Sequence, residues 1–286
     1  MSSDTRRLGR IASSILRHVI ICGVGIIMIY PLIWMFSSTF KESHTIFHTA
    51  ANLIPENFTF ENYINGWRGV GGTDFGVFFR NSTIIAVSAT IGTMFSSALV
   101  GYSFSRGRFF GRKFLFVAML GTLMLPAQIL MIPQFLWFNT LGWVNTYAPL
   151  ITPFFFAITG FFVYLVTNFI DGIPRELDEA AKIDGCSFYG IFGRIILPLS
   201  VPALITTGLF SFIWRWDDFL GPLLYLNRTP QFPASLALRM FADPAAITDW
   251  GALFAMSTLS LLPAVLIFIF LQKYLVEGIS TSGLKG

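Results

Sequence analysis

Ile173 to Ser200 reads IPRELDEAAKIDGCSFYGIFGRIILPLS, a charge-bearing, helix-forming stretch between two apolar runs of an oily chain. Pro174 suits the first turn of a helix, and Glu176, Asp178 and Glu179 follow where negative charge complements the positive end of the helix dipole. Leu177, Ala180 and Ala181 stand at i, i+3 and i+4, on one face, and Asp178 and Lys182 are spaced to pair. Gly185 fits a helix-ending position, and Ser187 can cap a second helix running towards Pro198. The expectation is a short helix, a sharp bend and a second helix returning to apolar sequence. Such an element is too polar to span a membrane and too short to be a domain.

The rest of the chain explains why this stretch stands out. Of 286 residues, 54% are hydrophobic and 12% charged, with a mean hydropathy of +0.68. Soluble domains carry about a quarter charged residues, so this composition places the chain in a bilayer. A span needs about 20 mostly apolar residues, and six segments qualify: 19–36, 78–104, 114–132, 147–170, 199–226 and 253–271. Arg6, Arg7, Arg10 and Arg17 precede the first, as in a secretory signal. Its far flank, PLIWMFSSTFK, has no small-x-small cleavage pattern and reads as a retained helix. With the N-terminus in the cytoplasm, Arg106, Arg108, Arg112, Lys113, Arg175, Lys182, Arg194, Lys273 and Lys285 join those four arginines inside. Lys41, Arg68, Arg80, Arg228 and Arg239 stay outside, so the positive-inside rule favours N-in, C-in. The organisation expected is a cytoplasmic segment 1–18, an all-α integral membrane domain of six transmembrane helices over 19–272 with the cytoplasmic loop 171–198, and a cytoplasmic tail 273–286.

Three features lie within the spans. Ser88, Gly92 and Ser96 recur every fourth residue, a stripe that admits another helix closely, in this chain or a neighbouring one. Pro126 and Pro133 remove backbone donors at membrane depth and Gln128 and Gln134 add polar groups, as on a helix facing a cavity. The run FSFIWRWDDFLGPLLYL places Arg215, Asp217 and Asp218, with Trp214 and Trp216 beside them, in apolar sequence where unpaired charge costs several kcal/mol. Arg215 and Asp218 are spaced to pair, and two roles stay open: an internal salt bridge, or the lining of a polar path. Gln128, Trp214, Arg215, Asp217 and Asp218 are the candidates for that path. Arg215 hints at an anionic sugar, and an Arg215–Asp218 pair explains it as well.

Glu179-Ala180-Ala181, then Asp184-Gly185, nine residues, and Ile195-x-Leu197-Pro198 match without a gap the EAA motif of ABC importer permeases. FTFENY at 58–63, FFRNS at 78–82, MLPAQ at 124–128, DDFLGPL at 217–223 and the terminal YLVEGISTSGLKG also resemble recurring segments of the carbohydrate-type permeases, the maltose-type six-span partner. The resemblance implies the type I ABC importer permease fold and a coupling helix in which Glu179, Ala180, Ala181, Asp184, Gly185 and Pro198 meet a cytoplasmic ATPase. It also implies a second permease chain, two ATP-binding subunits that use ATP and Mg, and an extracytoplasmic solute-binding protein, in a bacterial cytoplasmic membrane. The tail 278–286 becomes a second ATPase contact. The chain departs from the family's usual pattern in the fifth span, where an Asn or another neutral residue is usual near Asp217 and no arginine is usual at Arg215.

Other classes fit less well. No GxxxxGK[ST] loop is present, so ATP hydrolysis falls to a partner and this chain binds no cofactor. An ion-gradient-driven secondary transporter is the alternative kept open by the intramembrane aspartates. His18, His44 and His48 form no HExxH, Cys22 and Cys186 suggest neither a disulfide nor a metal site, and Asp217 and Asp218 lie about 100° apart on a helix. An enzyme is therefore not expected, and neither is a nucleic-acid partner.

Overall fold

Away from water a chain must satisfy its backbone groups internally, and helices do this locally. Every regular element of the computed structural model, which describes residues 3–242 and 248–282, is a helix. The side chains of Arg6, Arg7 and Arg10, the residue Lys285 and the tail 283–286 lie outside the described residues or side chains, and the tail contact expected at 278–286 rests on them.

Two units are distinguished. The first comprises residues up to Val70 together with Phe241–Leu259. In it, α1 (Ser3–Ser38) is a 36-residue helix with its apolar span exposed along its length. A loop follows, closed by aromatic packing of Phe40 on Phe58 at 4.7 Å and by α2 (Glu61–Trp67). Lys41 is buried in that loop and donates to the carbonyls of Thr49 and Asn52 at 2.8 and 2.5 Å. Burial holds its ammonium below the ordinary lysine pKa, against the opposing pull of the Glu56 carboxylate. Asn62 donates to the carbonyls of Thr39 and Lys41, so backbone groups left by the end of α1 are satisfied from α2.

The second unit runs Gly71–Met240 and resumes at Ser260. Its axis is α3 (Phe75–Arg106), packed along α7 (Gly160–Asp171) and α11 (Val201–Trp216). Small residues set the approach. A Cβ on Gly101 would lie 2.9 Å from Val166 Cγ1, one on Gly92 would lie 2.5 Å from the Phe155 ring, and Ser96 donates to the Phe154 carbonyl at 2.8 Å. The Gly92 and Ser96 part of the stripe is therefore spent on packing within this chain.

Between them stand α4 (Arg112–Thr122), α5 (Ala127–Thr140), α6 (Ala148–Ile151) and a 3-10 turn (Thr152–Phe156). After α7 come α8 (Glu176–Ile183), α9 (Phe188–Ile191), a π-helical turn (Phe192–Ile196) and α10 (Leu197–Leu199). Beyond α11 lie α12 (Leu220–Tyr225), a 3-10 turn (Thr229–Gln231), α13 (Ala234–Phe241) and α14 (Trp250–Ser282).

The elements depart from the hydropathy reading at three segments, of which 147–170 is carried by α6, the 3-10 turn and α7 in succession. Among the described residues, Ser13–Ser38, Phe75–Arg106, Ala148–Asp171 and Trp250–Tyr274 are long and apolar enough to cross a membrane. The segment 114–132 is instead divided between α4 and α5, because Pro126 disfavours helical backbone at Leu125 and begins α5 as its N-cap, while Pro133 is carried inside α5. The segment 199–226 does not form one helix either. Phe188–Leu199 and Val201–Trp216 meet at a 72° bend, and α11 ends at Trp216, before Asp217 and Asp218.

Candidate functional site

The charged stretch folds into a helix, a bend and a second helix. The bend is a Schellman turn: Cys186 N–H donates to the Ala181 carbonyl at 2.9 Å, Gly185 N–H donates to Lys182 at 3.0 Å, and Gly185 takes a φ of +82°. Ser187 caps α9 by accepting from Gly190 N–H at 3.2 Å. Pro174 lies two residues before α8 rather than within its first turn.

Which face of α8 points outward departs from the spacing argument. Asp178 and Ala181 are buried, while Glu176, Leu177, Glu179, Ala180, Lys182, Ile183 and Asp184 are exposed, so of the two alanines one faces inward and the other outward. Ala181 joins a core with Tyr102, Val166, Ile170, Ile191 and Ile196. The outward face offers Leu177, Ala180 and Ile183 among acids, with Ile183 86% exposed. Gly185 has open space around its Cα, and Pro198 is also exposed.

Asp178 reaches Arg106 rather than Lys182. Arg106, the last residue of α3, places Nε 2.6 Å from Asp178 Oδ2 and donates from Nη2 to the Ile173 carbonyl at 2.6 Å. Its Nη1 lies 3.9 Å from Asp171, which accepts from Ser105 Oγ at 2.5 Å. Both members of the Arg106–Asp178 pair are over 90% buried, so removing one would strand the other at a cost of about 3–5 kcal/mol. Sequence spacing cannot see this pair, since the partners are 72 positions apart and on different helices.

A second polar group gathers at a cavity of about 250 Å³. Gln128 and Gln134 come from α5, Phe154 from the 3-10 turn, and Arg215 and Asp218 from either end of the turn that leaves α11. Arg215 Nη1 donates to Asp218 Oδ2 at 3.4 Å, and its guanidinium lies 4.6 Å from the Phe154 ring centroid. Asp218 Oδ1 also accepts from Gly221 N–H at 3.1 Å, starting α12. Of the five path candidates, Gln128, Arg215 and Asp218 line this cavity. Trp214 packs instead on Phe161 and Phe162 at 5.7 and 5.1 Å, and Asp217 is exposed. Gln134, Phe138 and Tyr225 line the cavity as well. The first was noted in the sequence as polar at membrane depth, while the two aromatics carried no signal apart from packing.

Helices of this order, with a short exposed helix on a buried corner, make up the fold of an ABC importer permease. A solved bacterial ABC transporter involved in import of the acidic polysaccharide alginate superposes with a TM-score of 0.80 over 96% of this chain and 98% of that one, at 22% identity. Residues 88–281 match the model of the binding-protein-dependent transport system inner membrane component family, and the chain belongs to that family. It is 36% identical to the probable ABC transporter permease protein YurM of Bacillus subtilis, over 90% of this chain and 84% of that protein. It is 34% identical to the trehalose/maltose transport system permease protein MalG of Thermococcus litoralis, over 92% and 94%. It is 32% identical to the arabinooligosaccharides transport system permease protein AraQ of Halalkalibacterium halodurans, over 92% and 93%. The chain is thus a multi-pass inner membrane component of a binding-protein-dependent ABC importer.

Proposed function

We propose that this chain pairs with a second, homologous permease, forms half of the path for a sugar or sugar-derived solute, and is driven through α8 by two cytoplasmic ATPase subunits that use ATP and Mg. An extracytoplasmic binding protein delivers the solute. The observation that carries this reading is α8 itself. Its buried side is tied into the chain, and its other side leaves Leu177, Ala180 and Ile183 exposed among Glu179, Lys182 and Asp184, an apolar strip rimmed by charge that suits a protein groove. The sequence reading of six spans, N-in and C-in, completes it, with the third and fifth crossings interrupted by the breaks at Pro126 and Ser200.

The names of the relatives support a trehalose, maltose or arabinooligosaccharide type of cargo. The cavity supports a neutral member of that class, because Asp218 counters the charge of Arg215 and leaves amides and aromatic faces for hydroxyls and sugar rings. The test is uptake of radiolabelled maltose, trehalose and arabinotriose by proteoliposomes holding the complete importer and its binding protein. ATP-dependent uptake of at least one, abolished by Glu179→Lys in an intact complex, is the expected result. Uptake driven by a proton or sodium gradient with the ATPases left out would replace this reading with a secondary transporter.

A further inference from the structure

Resting on the coupling role of α8, we propose that Arg106 is the positioning residue that carries movement of α8 into α3. The direct covalent route from α8 to α11 is a poor rod: it passes the left-handed Gly185, a π-helical turn at Phe192–Ile196 and a 72° bend at Ser200. π turns and sharp bends interrupt the regular i→i−4 ladder that makes a helix a continuous rod. The route through Arg106 has no such joint. One guanidinium meets α8 through Asp178 and the α7–α8 linker through the Ile173 carbonyl, both at 2.6 Å, with the half-exposed Asp171 at the end of α7 3.9 Å away.

One turn earlier on α3, Tyr102 makes a second grip on the far side of the bend. Its hydroxyl donates to the Phe188 carbonyl at 3.0 Å, and its ring packs on Phe188 and Phe192 at 4.6 and 5.0 Å. Both arms of the Gly185 bend are therefore held by the last two turns of a single 32-residue helix. Arg112 adds to the rigidity of that end by donating to the carbonyls of Gly107 and Ser105 at 3.2 and 3.3 Å. The buried Arg106–Asp178 pair resists shear because separating it leaves two charges with no water to replace their partners. A push on α8 thus moves α3, and with it the α7 and α11 faces packed along it.

The experiment is hydrogen–deuterium exchange on the complete importer, compared before and after trapping with MgATP and vanadate. In the parent complex, exchange is expected to change both at 176–184 and at 101–106. In Arg106→Gln and in Asp178→Asn the change at 176–184 persists, while that at 101–106 shrinks at least about fivefold. The charge-reversed pair Arg106→Asp with Asp178→Arg recovers part of it. A response at 101–106 equal to the parent's in both single variants overturns the proposal and leaves the docking role of α8 intact. No response at 176–184 in the parent overturns the docking role, and the proposal with it. Should the single variants fail to assemble, Arg106→Lys decides: it keeps the charge without the planar fork, and a full response at 101–106 in that variant overturns the proposal.

Discussion

At Gly101 the approach of α3 to α7 leaves no room for a side chain, since a Cβ would stand 2.9 Å from Val166 Cγ1 and 3.2 Å from the Thr167 backbone nitrogen. Backbone cannot rotate aside as a ring can. Gly101→Val is expected to destabilise the protein by about 1–3 kcal/mol, while Gly121→Ala, which meets nothing within 4 Å, changes little. Thermal midpoints of the detergent-solubilised protein check this, and equal midpoints would remove the argument. The same scale shows why spacing is an incomplete guide. Arg215 and Asp218 are close in sequence, so their pairing could be foreseen, and it forms at 3.4 Å. Asp178 had a nearby lysine to pair with and chose Arg106, because only burial decides which partner excludes water.

Among the elements, α8 depends on its terminator. Gly185 sits at a φ of +82° in open space, so a substitution there is felt as backbone strain rather than collision. Gly185→Ala is expected to cost about 1–2 kcal/mol locally, and Gly185→Asn less, since asparagine tolerates the left-handed region. Faster amide exchange across 176–183 in the alanine variant than in the asparagine one measures it, and the reverse order would refute it. Helix, bend and cap were legible at Ile173 to Ser200 because they rest on local chemistry. The breaks at Pro126 and Ser200 were not, because hydropathy sums the transfer of side chains and passes over a change in backbone direction. Two prolines in the same run had equal claims to break it, and the chain breaks at Pro126, the N-cap of α5, while Pro133 is carried inside that helix.

For the whole molecule, the distribution of basic residues makes a prediction about sides. In a chain freed of Cys22 and Cys186, single cysteines at Phe110 and Ile183 should react with a membrane-impermeant maleimide only from the cytoplasmic face, and one at Ile54 only from outside. All three positions are more than 80% exposed in the chain by itself, so with the ATPases left out accessibility does not limit the reaction. The opposite pattern would invert the N-in, C-in assignment.

The sequence alone determined the class of the molecule and the form of its charged loop, since composition, span length and capping act over neighbouring residues. Tertiary structure decided what that loop is fastened to, which of its alanines is free, and that the candidate path residues divide, with Gln128, Arg215 and Asp218 at the cavity and Trp214 packed on Phe161 and Phe162. The physical reason is burial. Local propensity sets where a helix begins and ends, but the face it hides, and the charge it must pair there, depend on helices far away in the chain.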